Sequence, residues 1–278
     1  MPTQTYRVTA YNYAHDSENK IHDDKTAARY GFKGGLVPGV ADYAYLSRAV
    51  LQNWGEPWLC GGSMQASFIK PIYHGEMATA LATRDDDPHA HEQLTLALLN
   101  AAGVRCAMGS ASLHAGAKAP EISDYPAHAP LPPATRPLPA IDTFARGRVL
   151  GTVEYVHDEQ NAHDLSRSLF VEALQCENGE PIWHPALCLS YANRILKENV
   201  QLDAWIHTAS RVNYFDRPRQ GETVSLRGTV ADTYDKRGHI VSELDLAMFA
   251  GEQRALVGIH HTAIIRLRSG GAHTGHSR

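Results

Sequence analysis

Residues 19–40 read Asn-Lys-Ile-His-Asp-Asp-Lys-Thr-Ala-Ala-Arg-Tyr-Gly-Phe-Lys-Gly-Gly-Leu-Val-Pro-Gly-Val, and the organisation of the chain follows from them. An Asn, a His and two Asp stand ahead of a short helix predicted over about residues 25–30. Asp23 or Asp24 caps it, because a carboxylate there accepts the unpaired N–H groups of the first turn and complements the helix dipole. Gly31 ends that helix. The Gly-Gly-Leu-Val-Pro-Gly segment then turns directly into a second helix start, where outward N–H groups favour negative charge. A histidine and a nest of donors thus lie close in sequence. Such a pair can handle a proton at one atom while stabilising an oxyanion at another.

Downstream, Val40, Tyr43, Ala44, Ser47, Val50 and Leu51 recur at helical spacing until Gly55 and Pro57, so a buried helix of about four turns is predicted. A β-rich run over residues 6–13 precedes the quoted stretch, and four more follow the helix at 63–70, 77–83, 92–100 and 104–114. Their short connections imply an antiparallel sheet; the acidic run Asp85 to Asp87 reads as a solvated turn. Seven of the fifteen prolines lie between Pro120 and Pro139, a composition that predicts an extended linker with no packed element.

The second half echoes the first. Residues 152–164, with Asn161 and His163, parallel residues 10–23, but Asn and His are one residue closer together. Trp-His-Pro-Ala-Leu at 183–187 stands where residues 37–41 stood, with Ala186 in place of Gly39, and opens a helix carrying Leu187, Tyr191 and Ile195. Four β-rich runs close this half, at 206–215, 223–233, 239–249 and 254–267. A repeat of about 140 residues is a duplicated domain and not a solenoid. The expected layout is a first domain over 1–118 with the site, a linker over 119–142, a second domain over 143–268 with a decayed site, and a tail over 269–278.

A chain of 278 residues with net charge −4 and no long basic run argues against nucleic acid or anionic membrane as the main partner. No window has the roughly 18 apolar residues of a membrane span, nor does the start read as a signal peptide, so a cytoplasmic location is expected. Cys60, Cys106, Cys176 and Cys188 show no paired spacing and read as buried free thiols. The His and carboxylates near His22 lack a spacing that converges metal ligands, so neither metal nor cofactor is expected. His114, His260 and His261 read as surface or satisfied core residues on strands, and Tyr43 and Tyr45 as core.

A strand, a loop with a short helix, one long helix and four antiparallel strands make up a hotdog fold, and two copies make an α+β double hotdog whose sheets join edge to edge as a pseudo-dimer. Nothing in the sequence demands further homo-oligomerisation. The run Asn19, His22, Asp24, Gly31-Phe32 and Gly39 resembles the MaoC-like, (R)-specific enoyl-CoA hydratase family, whose motif is Asp-x-Asn-Pro-x-His-x-Asp followed by Gly-Phe and a helix-opening Gly. The resemblance implies a hydro-lyase adding water to, or removing it from, an acyl thioester of coenzyme A or an acyl carrier protein. It puts His22 in the catalytic position, Asn19 beside it, Asp24 in a supporting position, and Gly39 with Val40 at the carbonyl oxygen. Two positions depart from the motif: Lys20 replaces the Pro, and Ser17 replaces the catalytic Asp, so that either Asp16 or Glu18 substitutes for it or His22 acts with Asn19 and Ser17 holding the water. The alternatives are a hotdog thioesterase, with Glu18, Asp16 or Asp42 activating water, and a non-catalytic acyl-binding protein.

Overall fold

The computed structural model describes residues 3–84, 92–171, 174–175, 179, 181–251 and 253–268. The Asp85 to Asp87 turn, Cys176 and the tail from 269 lie outside the described residues.

Strand β1 (Thr3–Thr9) is followed by a single 3-10 turn (Lys20–His22), the short helix α1 (Asp24–Arg29) and the long helix α2 (Gly39–Trp54). Strands β2 (Ser63–Phe68), β3 (Met77–Arg84), β4 (Gln93–Leu99) and β5 (Arg105–Ser112) complete the first half. The second half holds β6 (Val153–Val156), α3 (Glu159–Phe170), the two-residue strands β7 (Leu174–Gln175) and β8 (Pro181–Ile182), and α4 (Leu187–Asn199). It closes with β9 (Ile206–Tyr214), β10 (Thr223–Lys236), β11 (His239–Ala250) and β12 (Arg254–Arg266).

All the strands except β7 and β8 form one antiparallel sheet in the order β1-β3-β4-β5-β2-β9-β12-β11-β10-β6. The order reads the same from either end: each half places its leading strand outermost and the strand after its long helix innermost. The halves join where β2 pairs with β9, from Ser63 opposite Asn213 to Ser67 opposite Ala209. That pairing consumes the one edge each half would otherwise expose at its centre.

Alternation decides which face carries the core. In β4, Leu94, Leu96 and Leu98 are buried while Gln93 and Thr95 are exposed, the period-two pattern of a sheet covered on one side. Ala78, Ala80 and Ala82 line the inner face of β3, and such small side chains let α2 lie close against that strand. Along α2 every residue from Val40 to Leu51 is buried except Arg48. Each fully buried Leu or Val there contributes about 1.5–3 kcal/mol relative to exposure. Tyr43 and Tyr45 are core, as expected, and the Tyr43 hydroxyl lies 2.9 Å from that of Tyr214, linking α2 to the second half.

Two sequence expectations are corrected here. The proline-rich segment is no free tether: it forms 3-10 turns at Ile122–Asp124 and Pro133–Thr135, and its backbone bonds the second half through Thr152 N to His128 O (2.9 Å) and Gln201 N to Pro137 O (2.8 Å). Prolines remove donors but leave carbonyls, and the carbonyls of His128 and Pro137 accept here. Cys106 and Cys188 are buried, but Cys60 is exposed, at the end of the 3-10 turn after α2. In the second half Asn161 and His163 lie inside α3, capped by Asp158. Residues two apart on a helix do not face one another, so this half cannot reproduce the Asn19 and His22 pair.

Candidate functional site

Asn19 is the pivot of the site. Its Oδ1 accepts from Trp205 N (3.1 Å) and its Nδ2 donates to Trp205 O (3.0 Å), a reciprocal pair that fastens the first-half loop to the residue before β9. The same Oδ1 accepts from Ile21 N (3.4 Å), starting the 3-10 turn that presents His22. The second hydrogen on Nδ2 points to His22 Nε2 at 3.2 Å.

Those contacts fix the tautomer of His22. Its Nδ1 lies 2.7 Å from Leu36 O, which can only accept, so Nδ1 carries the proton and Nε2 presents a lone pair. Burial lowers the pKa of the ring below its ordinary 6.5, partly offset by the Leu36 bond. Asp24 supports the loop from behind by accepting from Gly35 N (2.7 Å). Gly35 has no room for a side chain, since a Cβ there would lie 2.0 Å from His22 O, which itself accepts from Asn12 Nδ2 at 2.9 Å. Gly35→Ala is therefore expected to displace the His22 backbone at a cost of about 1–3 kcal/mol, read as a lowered melting temperature. An unchanged melt would show that the loop absorbs the methyl group.

His22 and Asn19 line a cavity of about 190 Å³ with Phe32, Leu36, Phe68, Trp205 and the first turn of α2. No side chain caps α2, whose N-cap is Pro38, so the positive end of the helix dipole faces an apolar space. Gly39 opens the helix because a Cβ there would lie 3.1 Å from both the Phe68 ring and His207 Nδ1.

Of the residues singled out from sequence, the fold brings Asn19, His22 and Gly39 to this cavity. Val40 is buried within α2 and does not line it. Asp16, expected near His22, points into solvent against His15 (2.9 Å) with its side chain 98% exposed. Ser17 bonds only its own loop, through Oγ to Asn19 O (3.4 Å), and Glu18 reaches outward to Lys197 (3.2 Å). With no buried partner to offset desolvation, such carboxylates stay in water.

Among the described residues the one acid lining the cavity is Asp42, in the first turn of α2. It is 3% exposed, its Oδ1 has no hydrogen-bond partner, and burial raises its pKa well above the usual carboxylate value. The second half supplies Asn193 of α4, whose Oδ1 is likewise unpartnered, and His207 of β9. Asn193 and His207 carry no local motif, so the sequence does not announce them. No group of three His, Cys, Asp or Glu able to hold a metal ion occurs among the described residues. Nor is any helix among them long and apolar enough to cross a membrane.

No known family profile and no curated protein matches the chain. Solved structures do. Rv0216 of Mycobacterium tuberculosis, described as having a double hotdog fold, superposes with a TM-score of 0.63 over 95% of this chain and 96% of its own, at 14% identity. This chain is a double hotdog. A Chloroflexus aurantiacus protein described as a MaoC domain dehydratase matches the double hotdog equally well, with a TM-score of 0.63 over 96% and 95% of the two chains at 10% identity. A Lactobacillus plantarum protein described as an oleoyl thioesterase follows at 0.56, over 97% of each chain and again at 10% identity. Identities this low establish the double hotdog and leave its chemistry to be argued from the site.

Proposed function

We propose that this double hotdog is a MaoC-like acyl-thioester hydratase or 3-hydroxyacyl dehydratase, acting on a coenzyme A or carrier-protein thioester. The observation that carries this reading is a pair of buried groups on one cavity: His22, whose unprotonated Nε2 is held by Asn19 Nδ2, and Asp42, whose pKa burial raises. Burial disfavours the charged form of each group, which sets a neutral base and a neutral acid on one cavity. In the dehydration direction the Gly39 N–H polarises the thioester carbonyl, and His22 Nε2 removes the proton from C2. The Asp42 carboxyl gives its proton to the hydroxyl on C3; the C3–O bond breaks, C2=C3 forms and water leaves. Hydration runs the same steps backwards. Asn19 holds the imidazole and, through Trp205, ties it to the second half.

A thioesterase would need the cavity carboxylate as a base that activates water. Burial raises the Asp42 pKa and so favours its protonated form, which suits a proton donor better than a base that activates water, and this favours the hydro-lyase. Incubation with crotonyl-CoA, following enoyl absorbance and free thiol together, tests the assignment. Loss of absorbance without thiol supports it, thiol release replaces it with a thioesterase, and neither change points to an acyl-binding protein.

The pH profile adds a second check. Because the His22 pKa is lowered, its basic form survives below 6.5, so kcat/KM should rise with pH along a limb centred under that value. It should fall on the alkaline side as Asp42 loses its proton. An acid limb centred above 6.5 would contradict the assignment of His22 as the base.

A further inference from the structure

Beside Gly39 the second half contributes a chain of three buried polar side chains. His207 is 6% exposed, Ser210 3% and His261 0%. Ser210 Oγ lies 2.8 Å from His207 Nε2 and 3.0 Å from His261 Nδ1, and the two imidazoles stack at 4.3 Å between centroids. The outer nitrogens, His207 Nδ1 and His261 Nε2, have no hydrogen-bond partner among the described residues. His207 lines the His22 cavity, and the Phe68 ring meets it edge-on at 4.8 Å. Burial pushes its pKa down to about 3, partly offset by a contact with the Ala209 backbone, so the ring is neutral with one N–H. One hydroxyl proton shared between two ring nitrogens allows two arrangements. When Ser210 donates to His207 Nε2 and accepts from His261 Nδ1, the His207 proton must sit on Nδ1. That places a donor 3.1 Å from where a Gly39 side chain would begin, next to the uncapped helix start. An unmatched buried polar atom is costly, and it marks a place a ligand group can satisfy.

We propose that His207 Nδ1–H is a second donor to the substrate's thioester carbonyl oxygen, alongside the Gly39 N–H, in the arrangement in which Ser210 donates to His207 Nε2 and accepts from His261 Nδ1. This rests on the acyl-thioester reading above. It makes the second half, whose own Asn and His are turned apart on α3, a direct contributor to the site of the first.

The test compares His207→Leu, which removes the donor, with His207→Asn, whose amide can return one near the Nδ1 position. Steady-state kinetics on crotonyl-CoA are read together with the infrared carbonyl stretch of bound, carbonyl-labelled butyryl-CoA, which undergoes no hydration. His207→Leu should lower kcat by about 100-fold with little change in KM, the usual effect of losing one oxyanion donor. It should also reduce the downshift of the bound carbonyl stretch, and His207→Asn should recover part of both. Wild-type kcat and carbonyl stretch in His207→Leu would overturn the proposal, as would equal losses in two folded variants with the stretch unmoved. Wild-type protein that binds no acyl-CoA at all would overturn the acyl-thioester reading itself.

Discussion

His22→Ala is expected to lower kcat/KM on an enoyl thioester by about two to four orders of magnitude, the contribution of a positioned general acid or base. The structure separates this loss from a folding defect. His22 makes one backbone bond, from Nδ1 to Leu36 O, and one side-chain contact, at Asn19 Nδ2. Losing them costs about 1 kcal/mol each, a shift of a few degrees in melting temperature for a chain of this size. Asn19 keeps both bonds to Trp205, so the junction of the halves survives the substitution. Circular dichroism melts and initial rates on the same preparations check the prediction. Near-native turnover in a folded variant would remove His22 from the mechanism.

Residues close in sequence were legible, and residues joined only by the fold were not. The stripe from Val40 to Leu51 predicts α2 because burial on a helix repeats every three to four residues, and the helix runs Gly39–Trp54. The repeat of the β-rich runs predicts matching halves, which the palindromic strand order displays. His22, Asn19 and Gly39 reach one cavity because a 3-10 turn and a glycine-rich turn are local structures. The direction of Asp16 was not legible: the turn closed by Ser17 N to Ala14 O (2.9 Å) sends that side chain outward. The echo at 152–164 also misleads about structure. With Asp158 as cap and no glycine or proline until after Phe170, the segment winds into a helix of 12 residues. Trp205, Asn193 and His207 come to the site through the joining of the two halves, by the pairing of β2 with β9 and the bonds of Asn19 to Trp205, which no spacing encodes. By sequence Asp42 is a candidate only for a thioesterase base, although an acid amid the apolar residues of a buried helix signals a perturbed group.

Asp42→Asn is expected to lower kcat by about two to four orders of magnitude while leaving the protein at least as stable, a combination that a structural residue does not give. The amide keeps the volume of the carboxyl but has no acidic proton to give to the departing hydroxyl. Its effect on stability follows from linkage. The Asp42 pKa is raised in the folded state, so above the unfolded value the native protein binds more protons than the unfolded chain. Stability therefore declines as pH rises from the ordinary carboxylate range toward the raised folded pKa. Asparagine lacks this decline, so the variant should melt higher than wild type near pH 7, and the two should converge at low pH. Adding Ser17→Asp restores a carboxylate at the position the MaoC-like motif would occupy. Ser17 lies outside the cavity that Asp42 lines, so Ser17→Asp in the Asp42→Asn background should recover no activity. Recovery there would return the acid to the loop and leave Asp42 as a buried group without a catalytic role. A variant that melts lower at neutral pH would mean that the carboxyl is ionised and paired in the fold, against the burial that makes it an acid.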